Sequence, residues 1–192
     1  MAVAVLLLLG GNLHAQQSEK KSREDFKHAI NTCPLGVAVG IFSVNYQYLL
    51  NRNHGLVFRV DYEAAPGTYS DANIEGFGTA VILNYRYHLK KEMNSCYAGV
   101  FSRSRIYKGL GNLEGNAFEF NLPELTLGAN IGKRWVWNNG FNINFMAGYG
   151  YTFNTRNITP YSPEINERVE GFEKKYNFLN SFLAEFSIGY AF

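Results

Sequence analysis

Charged residues are scarce in this chain, and after its first few residues no apolar run is long enough to cross a membrane as a helix. Asp, Glu, Lys and Arg make up 18% of the 192 residues, below the roughly 25% typical of soluble domains, whereas aromatic residues reach 16%. The formal net charge of +2 provides no basic footprint for nucleic acid. We therefore expect neither a helical membrane protein nor a nucleic-acid partner.

Cysteine is also nearly missing, since the chain has only Cys33 and Cys96. Their spacing matches no metal-binding motif. Two cysteines can pair in an oxidising compartment. The strand assignment given below nevertheless places them a membrane thickness apart, beyond the limit of about 7 Å between the Cα atoms of a disulfide. We therefore expect two free thiols, no metal and no other cofactor.

The N-terminal segment MAVAVLLLLGGNLHAQQ combines an apolar run with Leu13-His14-Ala15 before Gln16. This pattern favours a signal peptide over residues 1–15. The segment lacks an early Lys or Arg, which a start codon assigned too far downstream would explain. A short buried N-terminal segment is the alternative. Residues 16–25 are expected to form a periplasmic tail, followed by one domain over residues 26–192.

Much of the chain alternates between apolar and polar residues with a period of two, the signature of strands with one apolar face. The clearest case is GFNINFMAGYGYTFN at 140–154. Its apolar face consists of Phe141, Ile143, Phe145, Ala147, Tyr149, Tyr151 and Phe153. Asparagine, glycine and threonine predominate on the other face.

Eight strands are predicted, and they are joined by connections that alternate in length. The strands are 26–33, 35–49, 55–64, 76–89, 95–107, 118–136, 140–154 and 179–192; the short connections are 51–54, 90–94 and 137–140; the longer ones are 64–75, 108–117 and 155–178. Asn139-Gly140 is a hairpin signal. A parity change predicts a bulge near Gly40, and Pro123 predicts an irregular point in the sixth strand. The fold class predicted is all-β, an eight-stranded antiparallel up-and-down barrel.

Such a barrel is either soluble, with an apolar interior for a small ligand, or a membrane barrel with an apolar exterior. The polar faces contain mainly Asn, Gly, Ser and Thr with almost no Lys, which suits a narrow lumen better than a water-exposed surface. The apolar faces end in aromatic residues, as in the girdles beside a lipid-facing band about 25 Å tall. We therefore predict a transmembrane barrel with a polar cluster in its lumen. Its predicted members are Arg59, Asp61, Glu63, Arg86, Glu124, Arg134 and Glu185.

Three stretches carry a family resemblance: YQYLLNRNHGLVF, IGKRWVWNNGFNINFMAGYGY and SIGYAF. They resemble the small eight-stranded outer-membrane barrels of unknown function of Bacteroides-type bacteria, which share the architecture of the OmpA membrane domain and OmpX. The ending also resembles the C-terminal signal read by the barrel-assembly machinery, at Phe186, Ile188, Tyr190 and Phe192. The resemblance implies the outer membrane of a Gram-negative bacterium, contact with its lipid and lipopolysaccharide, and no established activity.

Candidate catalytic groups are few. Lipid A-modifying barrels place a His and a Ser, with or without an Asp, at the outer leaflet, and the base must reach its nucleophile. His28, His54 and His88 all lie at the predicted periplasmic end, and Tyr69-Ser70-Asp71 in an outer loop lacks a neighbouring base. We predict a non-enzymatic protein without catalytic residues, with a lipid A-modifying enzyme as an alternative.

The predicted lumen charges must be paired, because an isolated buried ion is costly. We predict that Arg59 pairs with Glu185 or Glu124. One interpretation is a salt-bridged plug, and the other is a narrow gated pore in which the pairs exchange partners. The loop at 155–178 is the predicted contact for a surface protein, unless it is simply a solvated loop. The predicted role is therefore envelope structure or surface interaction.

Overall fold

The computed structural model describes residues 22, 25–38, 40–65, 75–113 and 115–192. The predicted signal peptide at 1–15, most of the predicted tail at 16–25 and Tyr69-Ser70-Asp71 lie outside the described residues.

Nine strands in the described part of the chain form one antiparallel sheet. They are β1 His28–Thr32, β2 Ile41–Leu49, β3 His54–Ala65, β4 Glu75–His88, β5 Cys96–Leu113, β6 Asn116–Val136, β7 Phe141–Asn154, β8 Asn157–Thr159 and β9 Phe182–Ala191. Each strand from β1 to β6 pairs with its successor, β7 pairs with β9, and β9 pairs with β1. These eight strands form a closed ring, and β8 adds a short pairing to β6. The predicted eight-stranded antiparallel up-and-down barrel is confirmed.

The two ends of the barrel differ in their connections. At one end, which we call the turn end, short turns join β2 to β3, β4 to β5 and β6 to β7. We call the other end the loop end. Gly140, in the last of the short turns, has φ +86°, and a Cβ there would lie 2.5 Å from the carbonyl oxygen of Ala191. Glycine suits both constraints, so the hairpin predicted from Asn139-Gly140 is confirmed.

Side chains alternate between the interior and the exterior of the barrel. In β2, Asn45 and Gln47 are buried, whereas Tyr46 and Tyr48 are exposed. The register keeps each face continuous from strand to strand, because Asn45 lies opposite Arg59 in β3. The interior is therefore lined largely by polar side chains, and it also contains an apolar cluster. That cluster consists of Ala80, Ile82, Tyr97, Phe101, Met146 and Leu183. This composition does not fit the alternative of an apolar cavity for a ligand.

The predicted strand at 35–49 is partly wrong. A four-residue helix, α1 (Pro34–Val37), precedes β2, and Pro34 fits its first turn because no helical partner is available for an N–H there. Gly40 has φ +79°, and its carbonyl accepts a 2.8 Å hydrogen bond from the N–H of Ala64. The parity change attributed to a bulge comes from this helix and turn.

The predicted loop at 108–117 is instead the tip of a hairpin, because β5 reaches Leu113 and β6 starts at Asn116. Its glycines have a packing role on the inner face. A Cβ at Gly109 would lie 2.1 Å from Cζ of Phe120, and one at Gly111 would lie 2.3 Å from Cζ of Phe118. Both glycines therefore leave room for aromatic rings of β6.

Pro123 lies within a continuous β6, at the point where this strand changes partners. The pairing with β7 ends at Glu124 opposite Asn154, and the pairing with β8 starts at Asn121 opposite Asn157. Because Pro123 lies between the two pairings, its missing N–H interrupts neither ladder.

The predicted loop at 155–178 contains β8 and a second helix, α2 (Pro163–Ser181). Ser162 caps the helix by accepting a 3.1 Å hydrogen bond from the N–H of Ile165, and Pro163 follows it. Ile165 and Val169, one helical turn apart, pack against the inner face of the β5–β6 hairpin. None of the helices in the described part of the chain is both long and apolar enough to span a membrane.

Candidate functional site in the barrel interior

All seven residues predicted for the lumen lie on the inner face of the barrel. Six of them are buried: Arg59, Asp61, Arg86, Glu124, Arg134 and Glu185. The seventh, Glu63, has a side chain that is 16% exposed. The alternating register brings them together from four strands, because side chains that alternate along each strand face the same interior space.

Glu185 of β9 is the centre of the network near mid-barrel. Its carboxylate accepts hydrogen bonds from Arg86 at 2.9 Å, Asn144 at 2.8 Å, Ser187 at 2.6 Å and Asn45 at 3.1 Å. A buried carboxylate with four donors has its lone pairs well satisfied, and the guanidinium of Arg86 neutralises its charge.

Arg59 does not pair with Glu185 or Glu124, so that prediction is wrong. Its Nε donates to Oδ1 of Asp61 at 2.6 Å, two residues along the same strand. Its other nitrogens donate to Oγ of Ser43 and to the carbonyl of Ala184, each at 3.2 Å. Residues two apart in a strand share a face, so Asp61 was the nearest carboxylate by spacing alone.

A second ionic cluster lies closer to the loop end. Arg105 of β5 donates to Oε2 of Glu124, at 2.8 Å from Nε and 2.5 Å from Nη2, and to Glu63 at 3.1 Å. Arg103 is also buried and donates to Thr126 at 3.3 Å. Neither arginine was predicted from the sequence, because the alternation of strand five was unclear, although Phe101, Arg103 and Arg105 share one parity.

Arg134 differs from the other interior arginines. It is fully buried, and it forms no ion pair with a carboxylate of the described residues. Its Nη1 donates to Oδ1 of Asn31 at 3.3 Å, while its Nε and Nη2 have no hydrogen-bond partner within the described part. Arg134 therefore carries a desolvated charge that its surroundings compensate poorly.

Apolar layers close the interior at both ends. At the turn end, one layer consists of Phe26, Ala29, Leu49, Met93, Val136 and Ala191. At the loop end, Ile165 and Val169 of α2 cover a layer formed by Tyr107, Phe118, Phe120 and Leu122. The polar network thus lies between two apolar seals.

A family model described as a protein of unknown function, DUF3575, matches residues 2–192. The chain belongs to the DUF3575 family. No curated protein matches it. Family membership fits a small barrel of unknown function.

The three histidines that the structure of this DUF3575 barrel describes lie at the turn end. His28 and His54 are partly exposed at the starts of β1 and β3, and His88 is buried at the end of β4. Their hydrogen bonds go to the hydroxyls of Tyr46 and Tyr85 and to the side chain of Gln47, respectively.

The predicted assembly signal and the two cysteines can also be located in the structure. Phe186 and Ile188 are partly buried on β9, whereas Tyr190 and Phe192 are exposed, and their role in assembly stays a prediction. Both cysteines are free: Cys33 is buried after β1, and Cys96 is exposed at the start of β5. Among the described residues, no three His, Cys, Asp or Glu side chains come together as a metal site.

Proposed function

We propose that this chain is a non-enzymatic β-barrel of the outer membrane of a Gram-negative bacterium, with a plugged lumen, and that it serves envelope structure or surface interaction. The observation that supports this most is the inverted distribution of side chains. Leu83, Phe145 and Ile131 are 59%, 54% and 69% exposed on the exterior, while Arg86 and Arg134 are fully buried. A wide apolar exterior is unfavourable in water and favourable in lipid.

The proposed relationship to the OmpA membrane domain and OmpX is one of architecture. Eight antiparallel strands, short turns at one end and longer connections at the other are features that such barrels share. Bacteroides-type bacteria remain the proposed source of this form of the barrel.

The filled interior supports a plug in preference to a gated pore. Conduction would require breaking the Arg86–Glu185 pair, moving the apolar layer at the turn end and lifting α2 from the hairpin. Eight strands enclose space for side chains and little else. We therefore infer a non-conducting resting state.

The hydrogen bonds of the histidines support a non-enzymatic role over lipid A modification. His28 and His54 bond tyrosine hydroxyls, and His88 bonds the amide of Gln47. A general base for acyl transfer would need a serine or a similar nucleophile within reach, near the outer leaflet. The histidines in the described part of the chain instead lie at the turn end, where the periplasmic side is proposed.

The β8–α2 segment supports surface interaction at the loop end. Glu164, Glu167 and Arg168 of α2 are exposed, and Tyr161 just before it is 70% exposed. A groove of about 560 Å³, lined in part by Tyr62, Phe77, Lys108, Asn157 and Thr159, lies on the same end. A groove beside a charged helix suits a protein partner at the cell surface.

The depth of an introduced charge tests the membrane proposal. Leu83→Arg places the charge on the exterior surface at the middle of the barrel. The matched control is Leu89→Arg, because the side chain of Leu89 is 63% exposed and lies just beyond the end of β4. In vesicles we expect Leu83→Arg to lower the free energy of unfolding by about 2–4 kcal/mol and Leu89→Arg by about 0–1 kcal/mol. If both variants were as stable as the parent, the exterior would face water and the proposal would fail.

Planar-bilayer recordings test the plugged lumen, and a steady open conductance would exclude a plug.

A further inference from the structure

The exterior of the turn end carries the same side-chain arrangement twice. Nδ1 of His28 bonds the hydroxyl of Tyr46 at 2.6 Å, and its ring stacks on Tyr48, the residue directly opposite, at 4.9 Å. In the same way, Nδ1 of His54 bonds the hydroxyl of Tyr85, and its ring meets the edge of Tyr87, the residue opposite, at 5.3 Å. We call these two groups the His–Tyr clusters.

The Tyr hydroxyls determine what each histidine offers. When the hydroxyl donates to Nδ1, the proton of the neutral imidazole stays on Nε2. No hydrogen bond joins Nε2 of His28 or His54 to any residue that the structure describes. Each His–Tyr cluster therefore leaves Nε2 free on an aromatic surface at the edge of the apolar exterior, as an N–H donor in the tautomer in which the tyrosine hydroxyl donates to Nδ1.

Cations surround the two clusters. Lys27 precedes His28, Arg52 lies in the turn between Tyr48 and His54, and Lys90 and Lys91 lie in the turn after β4. All four are exposed, and none makes an ion pair with a described residue. The acidic residues on this rim, among those described, are Asp25 and Glu92.

The loop end has the opposite balance. Its described charges outside the lumen are the cations Lys108, Arg156 and Arg168 and the acids Glu119, Glu164, Glu167 and Glu170. Among the described side chains, the excess of cations is thus found on the rim that carries the His–Tyr clusters. This excess is complementary to a layer of anionic groups at that depth.

We propose that the two His–Tyr clusters and the cations Lys27, Arg52, Lys90 and Lys91 form a binding surface for the phosphate groups of anionic glycerophospholipids. Nε2–H of each histidine donates to a phosphate oxygen, and the cations supply the attraction. The tyrosine rings pack beside the glycerol and the upper acyl carbons, where amphipathic rings are favoured. This inference rests on the membrane placement proposed above.

Lipid retention tests the proposal. The full chain is reconstituted in nanodiscs of phosphatidylcholine with a minor fraction of phosphatidylglycerol, and the lipids that stay bound on extraction are identified by native mass spectrometry. We expect phosphatidylglycerol to be enriched over its share of the disc. Lys27→Gln/Arg52→Gln should lower the enrichment by about fivefold for each cation removed, the factor that corresponds to about 1 kcal/mol per cation near an anionic surface.

His28→Phe/His54→Phe keeps the rings and removes both donors. Because both lipids carry a phosphate, it should lower the total number of retained phospholipids several-fold. Lys108→Gln removes a cation at the loop end and should bind lipid as the parent does. The single variants His28→Phe and His54→Phe, each of which keeps one cluster, cover the case in which the double variant fails to fold. Unchanged lipid retention in the histidine variants would overturn the proposal.

Flotation distinguishes a failure of the proposed phosphate-binding surface from a failure of the proposed membrane placement. If the chain floats with vesicles of either composition but retains both lipids in proportion to their abundance, the headgroup surface is refuted and the membrane placement stands. If it floats with neither, the membrane placement itself fails, and the headgroup surface fails with it.

Discussion

Arg86 and Glu185 join opposite walls of the barrel. Arg86 lies on β4 and Glu185 on β9, with three strands between them in either direction around the ring, and Nη2 lies 2.9 Å from Oε2. Both side chains are buried, at 0% and 1% exposure. A contact across the full diameter constrains the separation of the walls in a way that neighbouring strands alone cannot.

Breaking this pair from one side should be costly. Arg86→Met leaves the carboxylate of Glu185 buried with neutral donors only, so we expect a loss of about 3–5 kcal/mol in the free energy of unfolding. Arg86→Met/Glu185→Met removes both charges and should recover a large part of that loss. Urea unfolding of the parent, of the single variants Arg86→Met and Glu185→Met, and of the double variant measures the coupling energy between the two side chains. Simple additivity of the effects of the two single variants would contradict a direct pair.

Arg134 should respond in the opposite direction. It is as buried as Arg86 but has no carboxylate partner among the described residues. Arg134→Met removes a desolvated charge and keeps most of the volume, so we expect a neutral or stabilising change of about 0–2 kcal/mol. The comparison with Arg86→Met under identical conditions is the control. A loss as large as that of Arg86→Met would mean that Arg134 has a counter-ion.

The seal at the loop end depends on two residues of α2. Burial of a valine side chain contributes about 1.5–3 kcal/mol, and Val169 is fully buried against the hairpin. Val169→Asp should detach α2, so limited proteolysis will cut between residues 155 and 181 while the barrel core resists. Arg168→Asp introduces the same residue at the adjacent, exposed position and should leave the cleavage rate unchanged. Equal protection of both variants would show that α2 is held by other contacts.

The two thiols should differ in reactivity. Cys33 is 4% exposed, whereas Cys96 is exposed. Neither cysteine forms a disulfide. A maleimide should label the folded protein once, at Cys96, and the urea-unfolded protein twice, without prior reduction. Cys96→Ser should take up no label when folded. Labelling of Cys33 in the folded state would show that the interior near Ser43 opens to reagents.

The barrel could be predicted because its strands carry a strong local pattern. The alternation from Phe141 to Phe153 assigns each residue to a face without knowledge of its neighbours, and the predicted lumen residues on other strands followed from the same rule. The two helices were missed for different reasons. α1 has only four residues, and α2 is a mostly polar segment whose signals, Ser162 before Pro163, are short.

The choice of partners between different strands could not be predicted from the sequence. Alternation indicates that Arg59, Arg86 and Glu185 all face inward, but it does not indicate which of them meet. That depends on the stagger of strands around the ring, which is set by every register at once. Glu185 therefore pairs with Arg86 and not with Arg59, and Arg59 takes Asp61.

The pairing of β1 with β9 has a consequence for how the molecule forms. Ala29 lies opposite Ala191, so the seam joins the first and last barrel strands in chain order. Contacts between residues so distant in sequence form slowly, because the entropy of closing a long segment is lost before the contact is gained. Until the seam forms, β1 and β9 both present unpaired N–H and C=O groups, so a half-made barrel is open to pairing with another chain. Folding of this protein is thus a kinetic competition between closure of the β1–β9 seam and strand pairing with another chain.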